Sequence, residues 1–294
     1  MLKFMMQSRL NAALFVGLFS VGVFIMPLVF VLSIAGVSLV TLQKGAIEGA
    51  MVALLAGAVL TGLTLLAGGG INGIVILLGL TWLPAIIISS QVKNLGNITY
   101  GLSLGFGLAL LILGLLYLIT SPEPAKYWLE FFETNLEPVL AQLKLPVDMF
   151  NELKTSLVAN MNNLLTSSIV LLVAIGVLLG RYWQARLYNP GGFAREFMQL
   201  SYGKLLAVIT LAVLGISLLD QGFKFFADLE RSFIMLFLLQ GLAIVHFFAD
   251  KKGFGGGILF VLYIGLFLLP FLALFLAMLG ILDNWFGFRS KLSS

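Results

Sequence analysis

The sequence of 294 residues contains no cysteine and a single histidine, His246. A chain without cysteine forms neither disulfide bonds nor thiolate metal sites. One histidine also rules out sites built from several imidazole ligands, and most histidine-based catalytic triads. Charged residues are scarce as well, at 10% of the chain against about 25% in ordinary soluble domains. We therefore expect no enzymatic activity and no cofactor or metal site. We also expect no nucleic-acid partner, because the cations form no basic stripe.

Apolar residues, in contrast, make up 60% of the chain and raise the mean hydropathy to +1.08. A soluble domain of this composition could not cover its surface with polar groups, whereas a lipid bilayer solvates an apolar exterior. About 20 apolar residues are enough to cross a bilayer as a helix. Apolar runs occupy residues 10–25, 27–42, 46–67, 71–90, 99–120, 168–182, 204–219, 232–249 and 257–281. They predict an all-α fold, a polytopic transmembrane bundle of about eight to nine helices that forms one integral membrane domain over residues 1–294.

The first two apolar runs are short and are separated only by Met26 and Pro27. They can form one kinked helix, or two short helices that meet in a tight turn. Lys3 and Arg9 precede them, as cations do in a signal peptide. The apolar stretch continues well past residue 40, however, while the apolar core of a signal peptide has about 7–15 residues. We therefore expect this segment to be retained as the first part of the bundle.

Charges between the runs indicate the orientation of the chain. If residues 1–9 are cytoplasmic and all nine runs cross the membrane, the cytoplasmic segments carry ten cations and three acids, and the opposite segments carry seven cations and ten acids. Cytoplasmic loops of membrane proteins are enriched in Lys and Arg. The sequence therefore predicts a multi-pass protein of the bacterial inner membrane with a cytoplasmic N-terminus. Arg289 and Lys291 fall on the outer side in this count, and an even number of spans would bring them inside.

Residues 121–167 form the only long polar segment of the sequence. Aromatic and apolar residues recur in it at helical spacing, and Pro146 can begin a second helix that continues toward the next apolar run. We predict an extracytoplasmic amphipathic helical insertion, arranged as a hairpin on the outer face. The hairpin either lies on the outer leaflet or forms a lid over a solute site.

A second informative segment begins where a helix leaves the membrane after the sixth apolar run. Aromatic residues lie there at headgroup depth, arginines follow, and Asn189-Pro190 with two glycines forces a turn. We predict a cytoplasmic interfacial loop over residues 183–203. The loop either anchors the bundle at the membrane surface or docks a cytoplasmic protein partner or anionic lipid headgroups. The candidate contact residues are Arg181, Trp183, Arg186 and Arg195.

Few polar residues lie within the apolar runs, and these are the candidates for a ligand pocket. His246 precedes Asp250 by four residues, so the two share a helix face and either anchor the helix at the interface or relay protons. Gln240, on the same helix, is expected to form a buried interhelical hydrogen bond. Trp82 lies beside Pro84, which removes a backbone hydrogen bond at mid-span. The candidate pocket residues are Asn72, Trp82, Gln240 and His246, for a small-molecule ligand that the sequence does not identify.

Small residues at intervals of four mark two helix faces. Such faces let helix backbones approach closely in lipid, where packing drives association. We therefore expect them to form helix–helix contacts. They consist of Gly45, Gly49, Ala53 and Gly57 in the third run, and of Gly101, Gly105 and Ala109 in the fifth.

The span layout resembles the YybS-like family of bacterial membrane proteins, which is catalogued under a domain of unknown function. Two stretches carry the resemblance: Arg-Tyr-Trp-Gln-Ala-Arg-Leu-Tyr-Asn-Pro-Gly-Gly-Phe at residues 181–193, and Leu-Asp-Asn-Trp-Phe-Gly-Phe-Arg at residues 282–289. The chain is also distantly similar to the substrate-binding S components of energy-coupling-factor transporters and to the rod-shape protein MreD.

This resemblance implies one of two roles. The first is a solute-binding or transport subunit that works with other proteins and lacks its own ATPase. In that role we expect a pocket among the spans on the outer side. The second is a non-transporting membrane scaffold that recruits partners through residues 181–204.

Overall fold

The computed structural model describes residues 1–22, 27–66, 68, 70–219 and 224–290, and every regular element in that part of the chain is a helix. The all-α prediction is therefore confirmed. The helices are α1 (Leu2–Gln7), α2 (Arg9–Val21), α3 (Phe30–Lys44), α4 (Ala46–Leu66), α5 (Asn72–Leu95), α6 (Ile98–Thr120), α7 (Pro124–Phe131), α8 (Glu137–Leu140), α9 (Val147–Tyr188), α10 (Gly192–Met198), α11 (Gly203–Leu219), α12 (Lys224–Lys252), α13 (Gly255–Leu268) and α14 (Phe271–Phe286).

Four helices, α4, α6, α9 and α12, are each long and apolar enough to cross a membrane. Two bent pairs raise this number to six if each pair is one span: α10 with α11, bent by 55°, and α13 with α14, bent by 119°. The nine apolar runs fall on α2 to α6, on the second half of α9, on α11 and α12, and on the α13–α14 pair. The chain is thus a multi-pass helical membrane protein.

The first two apolar runs form two separate helices. At about 1.5 Å per residue, the 13 residues of α2 and the 15 of α3 span about 20 and 22 Å. The helices run antiparallel, because Ser20 Oγ lies 2.8 Å from Ser33 Oγ and Lys44 Nζ donates to the Met6 carbonyl at 3.1 Å. Residues 23–26, where the predicted tight turn falls, lie outside the described residues. The start of α2 and the end of α3 therefore lie at the same end of the bundle.

Two helices form the centres of the packing. The first is α3, which is surrounded by α2, α4, α5 and α9, and the second is α12, which contacts α6, α9, α11 and α14. The helix α9 lies between them and packs on both. Lipid tails are as apolar as leucine, so the bundle is held by close packing and hydrogen bonds more than by removal of apolar surface from water. Gly176 and Gly180 provide such packing, since they bring α9 directly against Ala35 and Ser38 of α3.

The two faces of small residues also lie in helix contacts. Gly101 of α6 lies against Val92 of α5. A Cβ atom added at Gly105 would lie 3.0 Å from the Leu236 side chain of α12. On α4, Gly49 lies against Thr41 of α3. The sequence spacing therefore marks real points of close helix approach.

The first part of the 121–167 segment, which contains α7 and α8, folds back against the start of α9. The indole N–H of Trp128, on α7, donates to Asn162 Oδ1 at 2.7 Å, and the buried ring of Phe132 packs against Phe150. Lys154 forms an ion pair with Glu133 at 2.8 Å, and this hydrogen bond raises the pKa of the lysine. The second half of the insertion is the first part of α9, which begins after Pro146 and continues without a break for 42 residues.

Contacts between distant segments define two ends of the bundle. At one end Arg9 Nε donates to Glu48 at 2.7 Å, Lys93 Nζ donates to the Gln43 carbonyl at 3.2 Å, and the Gln184 amide donates to the Gln43 side chain at 3.3 Å. We call this the cation-rich end. The opposite end carries α7 and α8, and we call it the hairpin end.

Arg289, close to the last described residue, lies at the cation-rich end. Arg289 donates to the carbonyl of Met198 at 2.7 Å and to Asp283 at 2.6 Å. The 119° bend between α13 and α14 turns the chain back toward this end. The chain therefore crosses the bundle an even number of times between its first helix and Arg289. Arg289 lies at the same end as the cations of residues 181–204.

Candidate functional site: an apolar groove at the cation-rich end

A groove of about 760 Å³ lies between α9, α10, α12 and α13. Its size falls within the range of about 300–1,000 Å³ that is usual for small-molecule sites. Most of the lining side chains are apolar or aromatic, and the polar ones are His246, Asp250 and the two tyrosines. The lining residues are Ile175, Leu178, Leu179, Tyr182, Phe193, Ala194, Phe197, Met198, Leu239, Leu242, His246, Ala249, Asp250, Gly253, Leu259 and Tyr263.

Helical periodicity brings these residues together. On α12 the lining positions are 239, 242, 246, 249 and 250, and on α9 they are 175, 178, 179 and 182. Spacings of three and four residues place side chains on one face of a helix. Each helix therefore contributes one continuous stripe to the groove.

Five aromatic rings follow one another along the groove wall. Tyr182 contacts Phe193 with ring centroids 5.7 Å apart, and Phe193 stacks on Phe197 at 5.7 Å with an interplanar angle of 11°. Phe197 then meets the edge of His246 at 5.4 Å, and His246 meets Tyr263 at 5.9 Å. Ring pairs at these distances attract one another, so the wall is preformed. It offers flat apolar surfaces to a ligand.

His246 has both ring nitrogens engaged. Nδ1 lies 2.9 Å from the Leu242 carbonyl, and Nε2 lies 3.3 Å from the Tyr263 hydroxyl. A carbonyl only accepts hydrogen bonds, so Nδ1 carries the proton. In the neutral imidazole Nε2 is therefore the acceptor, and Tyr263 donates to it. His246 and Asp250 line the same groove, as their shared helix face predicts. The side chain that hydrogen-bonds to the imidazole, however, is Tyr263.

The α13 side of the groove is loosely packed. None of the α13 residues whose side chains the structure describes is buried, and the helix makes its main contacts with α12 and α14. Phe260, Val261 and Phe267 are strongly exposed on the outward surface. This wall can therefore be displaced more easily than the α9–α12 wall, which belongs to the core.

The break between α10 and α11 positions the part of the groove that α10 lines. A broken helix within a membrane protein leaves backbone groups that must find other partners. Here the Tyr202 N–H donates to Gln240 Oε1 at 2.9 Å, and the Gly203 N–H donates to Asn284 Oδ1 at 2.9 Å. Together with the Arg289 bond to Met198, these contacts fix the end of α10, which carries four groove residues.

A largely buried ion pair also holds α10 against α9. Arg181 lies 2.8 Å from Glu196, and their side chains are 15% and 13% exposed. Glu196 also accepts the backbone N–H of Ile98 at 2.6 Å, at the first turn of α6. The pair thus joins α9, α10 and α6. Arg181, a predicted partner contact, is engaged inside the protein.

The other predicted contact residues differ in exposure. Trp183 is buried, and its ring lies edge-on to Phe15 at 5.8 Å. Arg186 and Arg195 are exposed, and among the described residues neither has an ion-pair partner. Trp183 and Arg186 also line a smaller cavity of about 530 Å³ beside Lys3. Of the four predicted contact residues, the exposed cations are therefore Arg186 and Arg195.

Two predicted pocket residues lie inside the bundle, away from the groove. Trp82 is buried, stacks on Phe30, and donates its indole N–H to Ser33 Oγ at 3.1 Å. Gln240 is buried and serves the Tyr202 backbone, as described above. The side chain of Asn72 lies outside the described residues. His246 is the predicted pocket residue that lines the groove.

Sequence reasoning missed several residues that build the site. Tyr263 follows His246 by 17 residues on the next helix, a distance that no local spacing reveals. Asn284 lies within the second stretch that carries the family resemblance and Glu196 lies three residues after the first, but only the fold shows that they bind the starts of α11 and α6. Among the described residues, no group of three or more His, Asp or Glu side chains is arranged to hold a metal ion.

The fold and groove define a multi-pass helical membrane protein with a preformed, largely apolar cavity near one end. The chain belongs to the family described as "Predicted membrane protein (DUF2232)", whose model matches residues 11–284. The YybS-like resemblance is consistent with this family, whereas similarity to S components and to MreD is not shown. No curated protein and no solved structure matches the chain.

Proposed function

We propose that this protein is a binding subunit for an amphipathic small molecule, which it holds in the groove between α9, α10, α12 and α13. The observation that carries the proposal is the preformed cavity of about 760 Å³ with its series of aromatic rings. The apolar part of the ligand would lie against Phe193 and Phe197. Its polar end would meet the hydroxyl of Tyr263 and the carboxylate of Asp250.

The loose α13 wall suggests how a ligand would enter. The outward face of α13 is apolar and exposed, as expected for a helix in contact with lipid. A molecule dissolved in the bilayer could pass beside α13 without crossing the packed α9–α12 interface. This route fits a lipid-soluble ligand better than a small polar one.

The proposal includes orientation and role. We place the chain in the bacterial inner membrane with the cation-rich end in the cytoplasm, as the positive-inside rule favours. The groove then lies near the cytoplasmic surface, in contrast to the outer-side pocket that an S-component-like role implies. We propose a binding or transport subunit that works with partner proteins. We propose that it binds its ligand without covalent chemistry.

A matched pair of substitutions on α13 tests the groove. Leu259 lines the groove, while Val261, two residues later, is 67% exposed on the outward surface. Leu259→Trp fills the groove, and overfilling a packed site costs about 1–3 kcal/mol, or about 5- to 150-fold in affinity. Val261→Trp adds the same bulk toward lipid and should leave binding unchanged.

The measurement is native mass spectrometry of protein purified gently from its own membranes. We expect a bound small molecule in the unmodified protein and in Val261→Trp, and much less in Leu259→Trp. Equal amounts in both variants would show that the molecule lies elsewhere. No bound molecule in any sample would contradict the proposal.

A scaffold role is the second candidate, and the exposure of Arg186 and Arg195 favours it. The two cations would contact an acidic partner protein at the cytoplasmic surface. Arg186→Gln with Arg195→Gln should abolish a specific complex in pull-downs from native membranes and leave the groove ligand in place. Lys126→Gln with Lys144→Gln, at the hairpin end, is the control. A complex that survives the arginine changes would count against this role.

A further inference from the structure

A buried carboxylate lies at the hairpin end, far from the groove along α12. Asp228 is 2% exposed, although aspartate is almost never buried without a partner. Its Oδ2 accepts a hydrogen bond from the Tyr117 hydroxyl at 2.8 Å, from α6. Among the described residues no Lys or Arg nitrogen lies within 4 Å of its oxygens, although the charges of Lys224 and Arg231, on the same helix, both act on it from further away. Lys224, one turn earlier, reaches to the Ala159 carbonyl.

The hairpin packs on α9 beside this region. Asn162 Oδ1 accepts the indole N–H of Trp128 at 2.7 Å. Trp128 belongs to α7 and is buried. The hairpin is therefore fixed to α9 at the residue directly before Asn163.

Three buried side-chain oxygen atoms on α9 and α12 have no hydrogen-bond partner in the described part of the chain. They are Asn163 Oδ1, Thr166 Oγ1 and Ser232 Oγ, and Thr166 and Ser232 are 0% exposed. Buried helical hydroxyls normally bond to a carbonyl one turn earlier, as Ser167 does at 2.7 Å. Unpartnered oxygens in such a place are costly, which points to a ligand that uses them.

The register of α9 and α12 places these oxygens at one interface. The Asn163 amide donates to the Ala227 carbonyl at 3.1 Å, so Asn163 lies beside the residue before Asp228. Both helices begin at the hairpin end and run in the same direction. Thr166 follows Asn163 by three residues and Ser232 follows Asp228 by four, so both lie about one turn further along.

We propose that this interface is a binding site for Na⁺, with Asp228 as its anionic ligand. Asn163 Oδ1, Thr166 Oγ1 and Ser232 Oγ supply neutral oxygen ligands, which hard cations prefer. The site offers a single carboxylate, and the charges of Lys224 and Arg231 also act on it, so a monovalent ion is favoured over a divalent one. The proposal does not depend on the groove, which lies at the other end of the bundle.

Binding of radioactive ²²Na⁺ to the purified full-length protein tests the site, with choline chloride holding the ionic strength constant. We expect saturable binding of one Na⁺ per chain. Asp228→Asn should abolish it, and Thr166→Val, which keeps the carboxylate and the side-chain shape, should weaken it about tenfold or more. Asp148→Asn, an exposed carboxylate at the start of α9, should bind Na⁺ as the unmodified protein does.

Thermal unfolding provides the second readout. Na⁺ should raise the melting temperature of the unmodified protein above its value in K⁺ or choline, because a ligand of the folded state stabilises it, and Asp228→Asn should remove the difference. Absence of saturable binding, or binding unchanged in Asp228→Asn, overturns the proposal. If Asp228→Asn does not fold, unchanged Na⁺ affinity in Thr166→Val overturns it. Leu259→Trp should retain Na⁺ binding, so failure of the groove proposal remains distinguishable.

Discussion

At the scale of single residues, the contact between α12 and α14 depends on two glycines. A Cβ atom at Gly241 would overlap the carbonyl of Leu276, and one at Gly280 would overlap the carbonyl of Phe237. A backbone carbonyl in a helix cannot move aside as the end of a flexible side chain can. The two helices therefore approach closely because both glycines lack side chains, which is how helices gain packing energy in lipid.

Replacing Gly241 with alanine should therefore destabilise the protein. Overfilling of a tightly packed contact costs about 1–3 kcal/mol, which should appear as a lower melting temperature in detergent. Gly107→Ala is the matched control, because Gly107 is exposed on α6 and a Cβ there meets nothing within 4 Å. Alanine is a better helix former than glycine by up to about 1 kcal/mol, so the control should melt at the same or a higher temperature. Equal destabilisation by both changes would contradict the packing argument.

At the scale of elements, the break between α10 and α11 relies on side chains from other helices. Gln240 and Asn284 accept the backbone N–H groups of Tyr202 and Gly203. The sequence indicated that Gln240 forms a buried interhelical hydrogen bond. In the structure its carbonyl oxygen bonds to the loop backbone at the start of α11.

Changing Gln240 to methionine preserves the side-chain length and leaves the Tyr202 N–H without its acceptor. An unsatisfied buried donor costs about 1–3 kcal/mol, equivalent to about 5- to 150-fold. Amide hydrogen exchange in the peptide containing Tyr202 should accelerate by a factor of this order. Gln199→Met, at an exposed position in the same loop, should leave exchange at Tyr202 unchanged. Similar rates in the two variants would show that the hydrogen bond does not hold the break.

The sequence located helices well where apolar residues are continuous, and less well elsewhere. The eighth run was placed at 232–249, but α12 begins eight residues earlier at Lys224. The charged residues before Ser232 concealed these first two turns of α12 in the sequence. Asp228 is buried there by packing against α6 and α9, which local composition does not show. In the last run, Pro270 separates α13 from α14 at a bend of 119°, whereas Pro84 lies within the continuous α5.

The same limit applies to the groove. Spacing along α12 placed His246 and Asp250 on one face, and that face lines the cavity. The opposite walls come from α9, α10 and α13, and no pattern within one helix shows which helices will be neighbours. Tyr263 therefore could not be identified as the partner of His246 before the fold was known.

At the scale of the whole molecule, α9 connects the two proposed sites. Its 42 residues span about 63 Å, about twice the thickness of the hydrocarbon core of a bilayer. Its first half supplies Asn163 and Thr166 at the hairpin end, and its second half supplies the groove wall that contains Tyr182. A rigid element of this length holds the two sites at a fixed separation.

The absence of cysteine from the chain allows the two ends to be assigned directly with single cysteine substitutions. Gln142→Cys lies at the hairpin end, and Tyr188→Cys and Lys252→Cys lie at the cation-rich end, all at exposed positions. With the cation-rich end in the cytoplasm, a membrane-impermeant maleimide added to intact cells should label Gln142→Cys alone. All three variants should react once the membrane is permeabilised, which controls for expression and exposure.

Ser290→Cys decides the side of the C-terminal segment. Its neighbour Arg289 is bonded to Met198 at the cation-rich end, so Ser290→Cys should react with the maleimide under the same conditions as Tyr188→Cys. Labelling of Ser290→Cys together with Gln142→Cys in intact cells would require α14 to end at the hairpin end, which the bond between Arg289 and Met198 does not allow. Labelling of Tyr188→Cys and Ser290→Cys from outside, with Gln142→Cys protected, would keep this fold. It would reverse its orientation and place the groove at the outer surface.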